Sequence, residues 1–374
     1  MSLSPSGTPA VGRGAARLRL RAPWPTVRAL ALLLLALLAG ALEAGARLPQ
    51  VREHLRAPSY DISSRQFEIQ WDRLDRFAGE ASGVRCVFLG SSEVYRGLDP
   101  ELFQQVFQAE TGRNLLCFNF GVQGLDPLNA AAVARILVDR YHPALILYGL
   151  DVPSFTASRA QGIRGDLEQH AWIQYELGKP SPSGWLIDHS YALRDYLVIR
   201  NWPRTNFWDQ LTQDQVAEAG TNRFGFGPVD RTMTGLNEPP SPNEKEATFS
   251  GALSQFEVSP EQLDGFERLL TTDPATQILV VEMPLHPGFM QFFGNGWSDY
   301  DTGLRAAQQV AQRHQVILLP TTRLSLVPDS GWFSRNHLNR SGAALFTHWF
   351  ATTLAQLVQQ GKVALPPPGP GGTP

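Results

Sequence analysis

Ser92 and His337 are the two side chains in this sequence whose types and settings suit nucleophilic chemistry. Ser92 lies in Val87-Phe88-Leu89-Gly90-Ser91-Ser92-Glu93, where an apolar run ends at a glycine and the chain turns. A serine on such a turn is presented with unpaired backbone N–H groups beside it, which suits attack on an acyl carbon and stabilisation of the oxyanion that forms. The competing reading is that Ser91 or Ser92 caps a helix. His337 lies in Ser334-Arg335-Asn336-His337-Leu338-Asn339, just ahead of a helix-forming stretch. Its ring titrates near neutrality, so it can take a proton from a hydroxyl and return it to a leaving group.

Three further blocks end where a sheet of this chain would present a site. Asn119-Phe120-Gly121-Val122-Gln123-Gly124 offers Asn119 as a substrate contact, and glycines that let the chain pass close to the serine turn, with the Gly124 N–H turned inward. Tyr148-Gly149-Leu150-Asp151 ends another apolar run. Glu282-Met283-Pro284-Leu285-His286-Pro287 ends a third, so His286, like Glu93 beside the nucleophile, is a candidate substrate contact; a plain loop histidine is the alternative. Asp329, in the same loop, and Asp151, Asp126 and Glu93, on loops at the same sheet edge, are the candidate acids for orienting the histidine ring, with an outward-turned Glu93 as the alternative for that residue. No His, Cys and carboxylate cluster has metal-ligand spacing and no Gly-rich phosphate loop occurs, so neither a metal nor another cofactor is expected.

Positioning these residues requires parallel strands. Short apolar runs at 84–89, 115–120, 144–150, 277–283 and 316–319 alternate with helical periods at 100–110, 127–141, from Ser259-Pro260-Glu261, at 300–313 and at 339–360. That alternation predicts an α/β domain over 84–362: a flavodoxin-like three-layer α/β/α arrangement with a five-stranded parallel sheet and its site beyond the strands' carboxyl ends. Residues 152–257 break the rhythm and are expected to form an inserted cap, with one helix near 185–202. Residues 47–83 read as a juxtamembrane connector that packs onto the domain, and the Pro/Gly-rich 363–374 as a disordered tail.

The N-terminus sets the topology. Residues 1–28 carry five arginines and no acid, and the charge-free run Ala29 to Leu42 follows. A basic flank before an apolar span predicts a cytoplasmic N-terminus and one transmembrane helix, placed at 29–46, with the rest periplasmic or extracellular. Ala44-Gly45-Ala46 leaves a cleaved signal segment as the alternative. A net charge of −3 without a basic patch excludes the usual electrostatic footprint of nucleic-acid binding. Cys86 and Cys117, each inside an apolar run, are expected to be free buried thiols, although an oxidising compartment would let them pair.

In order, spacing and sheet position these blocks resemble the SGNH hydrolase superfamily, the GDSL esterases and lipases. GSSEVYRGLDP, FNFGVQG and HLNRSGA look most like membrane-anchored bacterial members linked to envelope or exopolysaccharide O-acylation. The resemblance implies Ser92 as nucleophile, His337 as base, and the N–H groups of Ser92 and Gly124 as oxyanion donors. Two positions depart from it: Leu150 stands where the family has an oxyanion-hole asparagine, and Ser334 where it has the aspartate three residues before the histidine. Two functions are therefore carried forward. One is a serine esterase or O-acyltransferase acting on an acylated envelope glycan or acyl donor, in company with other envelope polysaccharide proteins. The other is a degraded site that binds glycan or scaffolds without turnover.

Overall fold

The computed structural model describes residues 24–52, 57–62, 64–80, 84–156, 167–200 and 220–365. The expectations for the first 23 residues, for the tail beyond 365 and for the end of the 185–202 helix lie outside them. The chain divides into two compact units, Met1–His54 and Leu55–Pro374. In the first, α1 runs from Trp24 to Arg47. Its 24 residues span about 36 Å at ~1.5 Å each. Thr26–Arg47 has a mean hydropathy of 2.1, and its leucines are exposed, so the helix is long and apolar enough to cross a membrane.

The second unit is built on a five-stranded parallel sheet: β1 Cys86–Gly90, β2 Cys117–Gly121, β3 Leu145–Leu150, β4 Gln277–Glu282 and β5 Leu318–Leu319, in spatial order β2-β1-β3-β4-β5. This is the flavodoxin-like order. Strands buried on both faces need apolar residues at successive positions, and β1, β2 and β3 are buried throughout. Val87, Leu89, Phe118, Phe120, Ile146, Tyr148 and Leu150 face one core, and Cys86, Phe88, Cys117, Leu145 and Leu147 the other.

Helices α2 Arg65–Glu80, α5 Pro127–Tyr141, α6 Pro260–Leu270 and α7 Trp297–Arg313 cover the first face. On the second lie α4 Pro100–Thr111 and α8 Arg340–Gln359, joined through Phe103 and Phe350. Four of these starts follow ordinary capping chemistry. Asp99, Asp126, Ser259 and Asn339 accept backbone N–H groups, and proline follows the first three.

Three expectations about local structure change. Within the connector, α2 is an integral part of the domain's core, with Phe67, Trp71 and Leu74 wholly buried. The expected 185–202 helix is two helices, Pro182–His189 and Tyr191–Arg200, separated at Ser190. The inserted region is also not one lid. Among its described residues, Trp172 packs against the α2 side of the core, 4.4 Å from Tyr60 and 5.0 Å from Trp71, ring centre to ring centre, while residues 220–229 run along the sheet edge.

The cysteines are not free. Cys86 and Cys117 are opposed in register on β1 and β2, with Cα atoms 4.4 Å apart, and form a disulfide that leaves no free thiol in the chain. Periodicity placed both residues in strands but could not place them opposite one another. A loop of this kind, 31 residues in separation, restricts the unfolded chain enough to add about 2–4 kcal/mol. The denatured, unreduced protein should take up no maleimide until reductant is added, and replacing both cysteines by alanine should lower unfolding free energy by that amount in denaturant titrations; maleimide uptake before reduction would refute the pairing.

Candidate active site

Three glycines form the floor on which the nucleophile rests. Gly121, Gly90 and Gly149 stand side by side in register at the carboxyl ends of β2, β1 and β3. A Cβ on Gly121 would lie 2.2 Å from the Tyr95 nitrogen, and one on Gly149 2.1 Å from Val94 Cγ2. Only a bare backbone lets the short helix α3, Ser92–Gly97, settle across the strand ends. Asn119 then clamps it: Nδ2 donates to the Val94 and Leu98 carbonyls at 2.8 and 2.7 Å, and Oδ1 accepts the Gly121 N–H at 2.8 Å. Asn119 is fully buried and spent on these bonds, so it positions the helix and does not reach substrate.

Ser91 takes the N-cap position of α3, but its hydroxyl caps no backbone group and donates to Glu93 Oε2 instead. Ser92 is the first helical residue and half-buried, and it opens onto a cavity of about 700 Å³ that His337, Arg96, Tyr95, Gln123 and Phe333 help to line. Among the described residues, no hydrogen bond uses the N–H of Ser92 or that of Gly124. Gly124 follows Gln123 in a tight turn with φ 72°.

His337 reaches this edge on a hairpin, β6 Trp332–Ser334 and β7 His337–Leu338. Arg335 pins the hairpin from behind by donating to the Leu236, Gly235 and Glu238 carbonyls and pairing with Glu244. The ring's Nε2 lies 2.8 Å from Ser92 Oγ, and its Nδ1 2.8 Å from Ser334 Oγ. Ser334 donates its single proton to Asn336 Oδ1 at 2.9 Å, and Asn336 Nδ2 donates to Glu93 Oε1 at 2.7 Å. The ring tautomer follows from this chain. A carboxylate oxygen facing Asn336 needs a donor, so the amide turns its NH₂ to Glu93 and its carbonyl to Ser334. The Ser334 proton is thereby used, Nδ1 must carry hydrogen, and the Nε2 lone pair faces Ser92. Sequence reasoning missed Asn336; the signal available was its place one residue before the histidine and two after Ser334.

The other expected residues fall elsewhere. Asp329 is not at the His337 ring; it lies 3.2 Å from His286 Nε2 and is 70% exposed. His286 is buried, and its Nδ1 accepts the Gly288 N–H, capping the turn Pro287–Phe292, so it is a structural residue rather than a substrate contact. Asp151 donates no acid to the ring either: its partner is Ser154 Oγ at 2.6 Å. Burial first, and the nearby Glu93 charge second, push the Asp151 carboxyl well above its ordinary range. Glu93 is itself 4% exposed and does not line the cavity; its oxygens accept from Ser91 and Asn336, and Ser92 Oγ lies 3.3 Å from Oε2. Leu150 is fully buried in the core and offers no donor to the site.

No protein-family model matches the chain, and no curated protein matches it in sequence. Among solved structures it is similar to Est24, a carbohydrate acetylesterase from Sinorhizobium meliloti, with 12% identity over 73% of this chain and 98% of that one and a TM-score of 0.36. A lipase/acylhydrolase from Enterococcus faecalis gives 10% identity, 76% and 100% coverage and a TM-score of 0.35. The aryl esterase of M. smegmatis gives 14%, 74% and 99%, and 0.33. Overlaps of this size fix neither chemistry nor substrate.

Burial lowers the His337 ring below its ordinary value; the Glu93 carboxylate opposes this, and the Arg96 guanidinium on the same helix adds to it. A lowered value keeps the ring neutral, hence able to act as base, to below pH ~6.5. Histidine NMR should place the His337 titration under that pH, and Arg96→Gln should move it upward; a midpoint at or above pH ~7 in the unaltered protein contradicts this electrostatic account.

Proposed function

We propose that the chain is a membrane-tethered, extracytoplasmic serine esterase or O-acyltransferase of the SGNH type, acting on acyl esters of an envelope glycan. The observation that carries the proposal is the 2.8 Å contact between Ser92 Oγ and the unprotonated Nε2 of a ring whose other nitrogen is held by Ser334. Ser92 attacks the ester carbonyl while His337 takes its proton. The N–H groups of Ser92 and Gly124 receive the oxyanion, and His337 returns the proton to the departing alcohol. Water or a sugar hydroxyl, deprotonated by the same nitrogen, then removes the acyl group from Ser92.

Location rests on independent features. The basic flank precedes an apolar helix long enough to span a bilayer, with the catalytic unit following it. A disulfide buried in the sheet suits an oxidising compartment. Retention at the membrane would hold the site beside acyl donors and nascent glycan, and beside other proteins of envelope polysaccharide assembly. Among the described residues, the cavity wall carries Arg96 and no carboxylate, which favours an acidic sugar or acyl group.

A glycan-binding protein without turnover is the second reading, favoured by the apolar Leu150 side chain where a third oxyanion donor would stand. Losing one such donor elsewhere costs on the order of 10²-fold in rate, which slows an esterase without abolishing it. The detergent-solubilised full chain should hydrolyse short acyl esters, with Ser92→Ala and His337→Ala each lowering kcat by about 10³-fold or more. Arg96→Gln should raise KM roughly tenfold for acetylated uronate oligosaccharides while changing it little for neutral esters. Absence of any Ser92-dependent turnover, with glycan still bound, would establish the second reading.

A further inference from the structure

Replacing the usual aspartate by Ser334 leaves the histidine without a carboxylate at Nδ1, yet the ring is oriented. We propose that Glu93, the residue next to the nucleophile, is the orienting acid of this site and acts on His337 through the Ser334 hydroxyl and the Asn336 amide. The inference rests on the serine-nucleophile reading above and deepens it.

Geometry supports each link. Nδ1 to Ser334 Oγ is 2.8 Å, Ser334 Oγ to Asn336 Oδ1 2.9 Å, and Asn336 Nδ2 to Glu93 Oε1 2.7 Å. Ser334 also accepts the His337 backbone N–H at 3.1 Å, so its hydroxyl has two donors to receive and one proton to give, which determines the direction of the chain. The relay closes on itself: Glu93 Oε2 lies 3.3 Å from Ser92 Oγ, and Glu93 Oε1 3.7 Å from His337 Nε2. Ser92, His337, Ser334, Asn336 and Glu93 thus form one ring of polar contacts.

No proton travels along it. The Nδ1 hydrogen stays on the imidazole, and the Ser334 and Asn336 hydrogens stay on their own atoms. The single transfer is from Ser92 Oγ to His337 Nε2, and the positive charge it creates is stabilised by the Glu93 carboxylate directly and through two polarised bonds. Glu93 is a positioning residue: it sets the tautomer and favours the imidazolium without touching substrate.

Three variants of the full chain separate this from a merely structural role: Glu93→Gln, Ser334→Asp, and the two combined. Glu93→Gln keeps the shape and a hydrogen-bonding carbonyl but removes the charge. It should lower kcat on a short acyl ester by roughly 10–100-fold with KM little changed, less than the ~10⁴-fold seen when a directly bonded acid is lost. Histidine NMR, with His337 assigned from its disappearance in His337→Gln, should show the ring titrating at lower pH than in the unaltered protein. Ser334→Asp puts a carboxylate directly at Nδ1, and in the double variant it should recover at least tenfold of the lost kcat and return the titration upward.

An unmoved His337 titration in Glu93→Gln, or wild-type kcat, would overturn the proposal. So would a loss in Glu93→Gln that Ser334→Asp leaves uncorrected in a protein with unchanged melting. The titration reads the relay whether or not the protein turns over esters. Failure of the esterase reading shows as absence of Ser92-dependent hydrolysis, and is therefore distinguishable.

Discussion

The helix that carries Ser92 can occupy its position only because the ends of three neighbouring strands have no side chains. Gly121, Gly90 and Gly149 are in register across β2, β1 and β3, and any Cβ there would enter the backbone of α3 or the Val94 side chain that wedges it. A methyl group on Gly121 or Gly149 would meet atoms at little over 2 Å, distances that packed proteins relieve by moving backbone rather than tolerating overlap. Everything downstream depends on that approach. It brings Ser92 to the sheet edge and allows Asn119 to bind the carbonyls at the helix's far end.

On this floor the site resolves a problem of buried charge. Two acids, Glu93 and Asp151, lie within the same low-dielectric region, each 4% exposed. Two like charges there would be costly: burial and the Glu93 charge push the Asp151 carboxyl well above its ordinary range beside Ser154, while Glu93 accepts from the Ser91 hydroxyl and the Asn336 amide. Leaving Ser334 at Nδ1 in place of a carboxylate avoids adding a third acid to this region. Asp151 Oδ1, by contrast, has no hydrogen-bond partner among the described residues.

Much of the frame was legible from the sequence because it is periodic. The strands at 144–150 and 277–283, the helix at 127–141 and the Ser259-Pro260 start of α6 follow from apolar spacing and from Ser and Pro placement, and the structure differs from them by a residue or two. The expected order of five parallel strands is the order observed. What periodicity does not encode is which loop meets which. Asp329 and His286 each looked available to the site, yet they satisfy one another on the far side of the hairpin. Asn119 looked like a substrate contact because it ends a strand, but its partners are backbone groups of a helix some twenty residues earlier. Ser334 read as a loss because a direct bond was expected, and the Asn336 bridge to Glu93 spans 243 residues of sequence. The disulfide was left as the alternative because pairing needs the two cysteines opposed in register, which periodicity does not give.

The central claim is that Ser92 is an activated nucleophile. The most direct measurement is mass spectrometry of the detergent-solubilised chain after treatment with a fluorophosphonate, followed by peptide mapping. The account predicts one stoichiometric adduct on Ser92, formed faster as pH rises through the His337 titration and absent in Ser92→Ala and strongly slowed in His337→Ala. No adduct, or labelling that persists unchanged in His337→Ala, would contradict it.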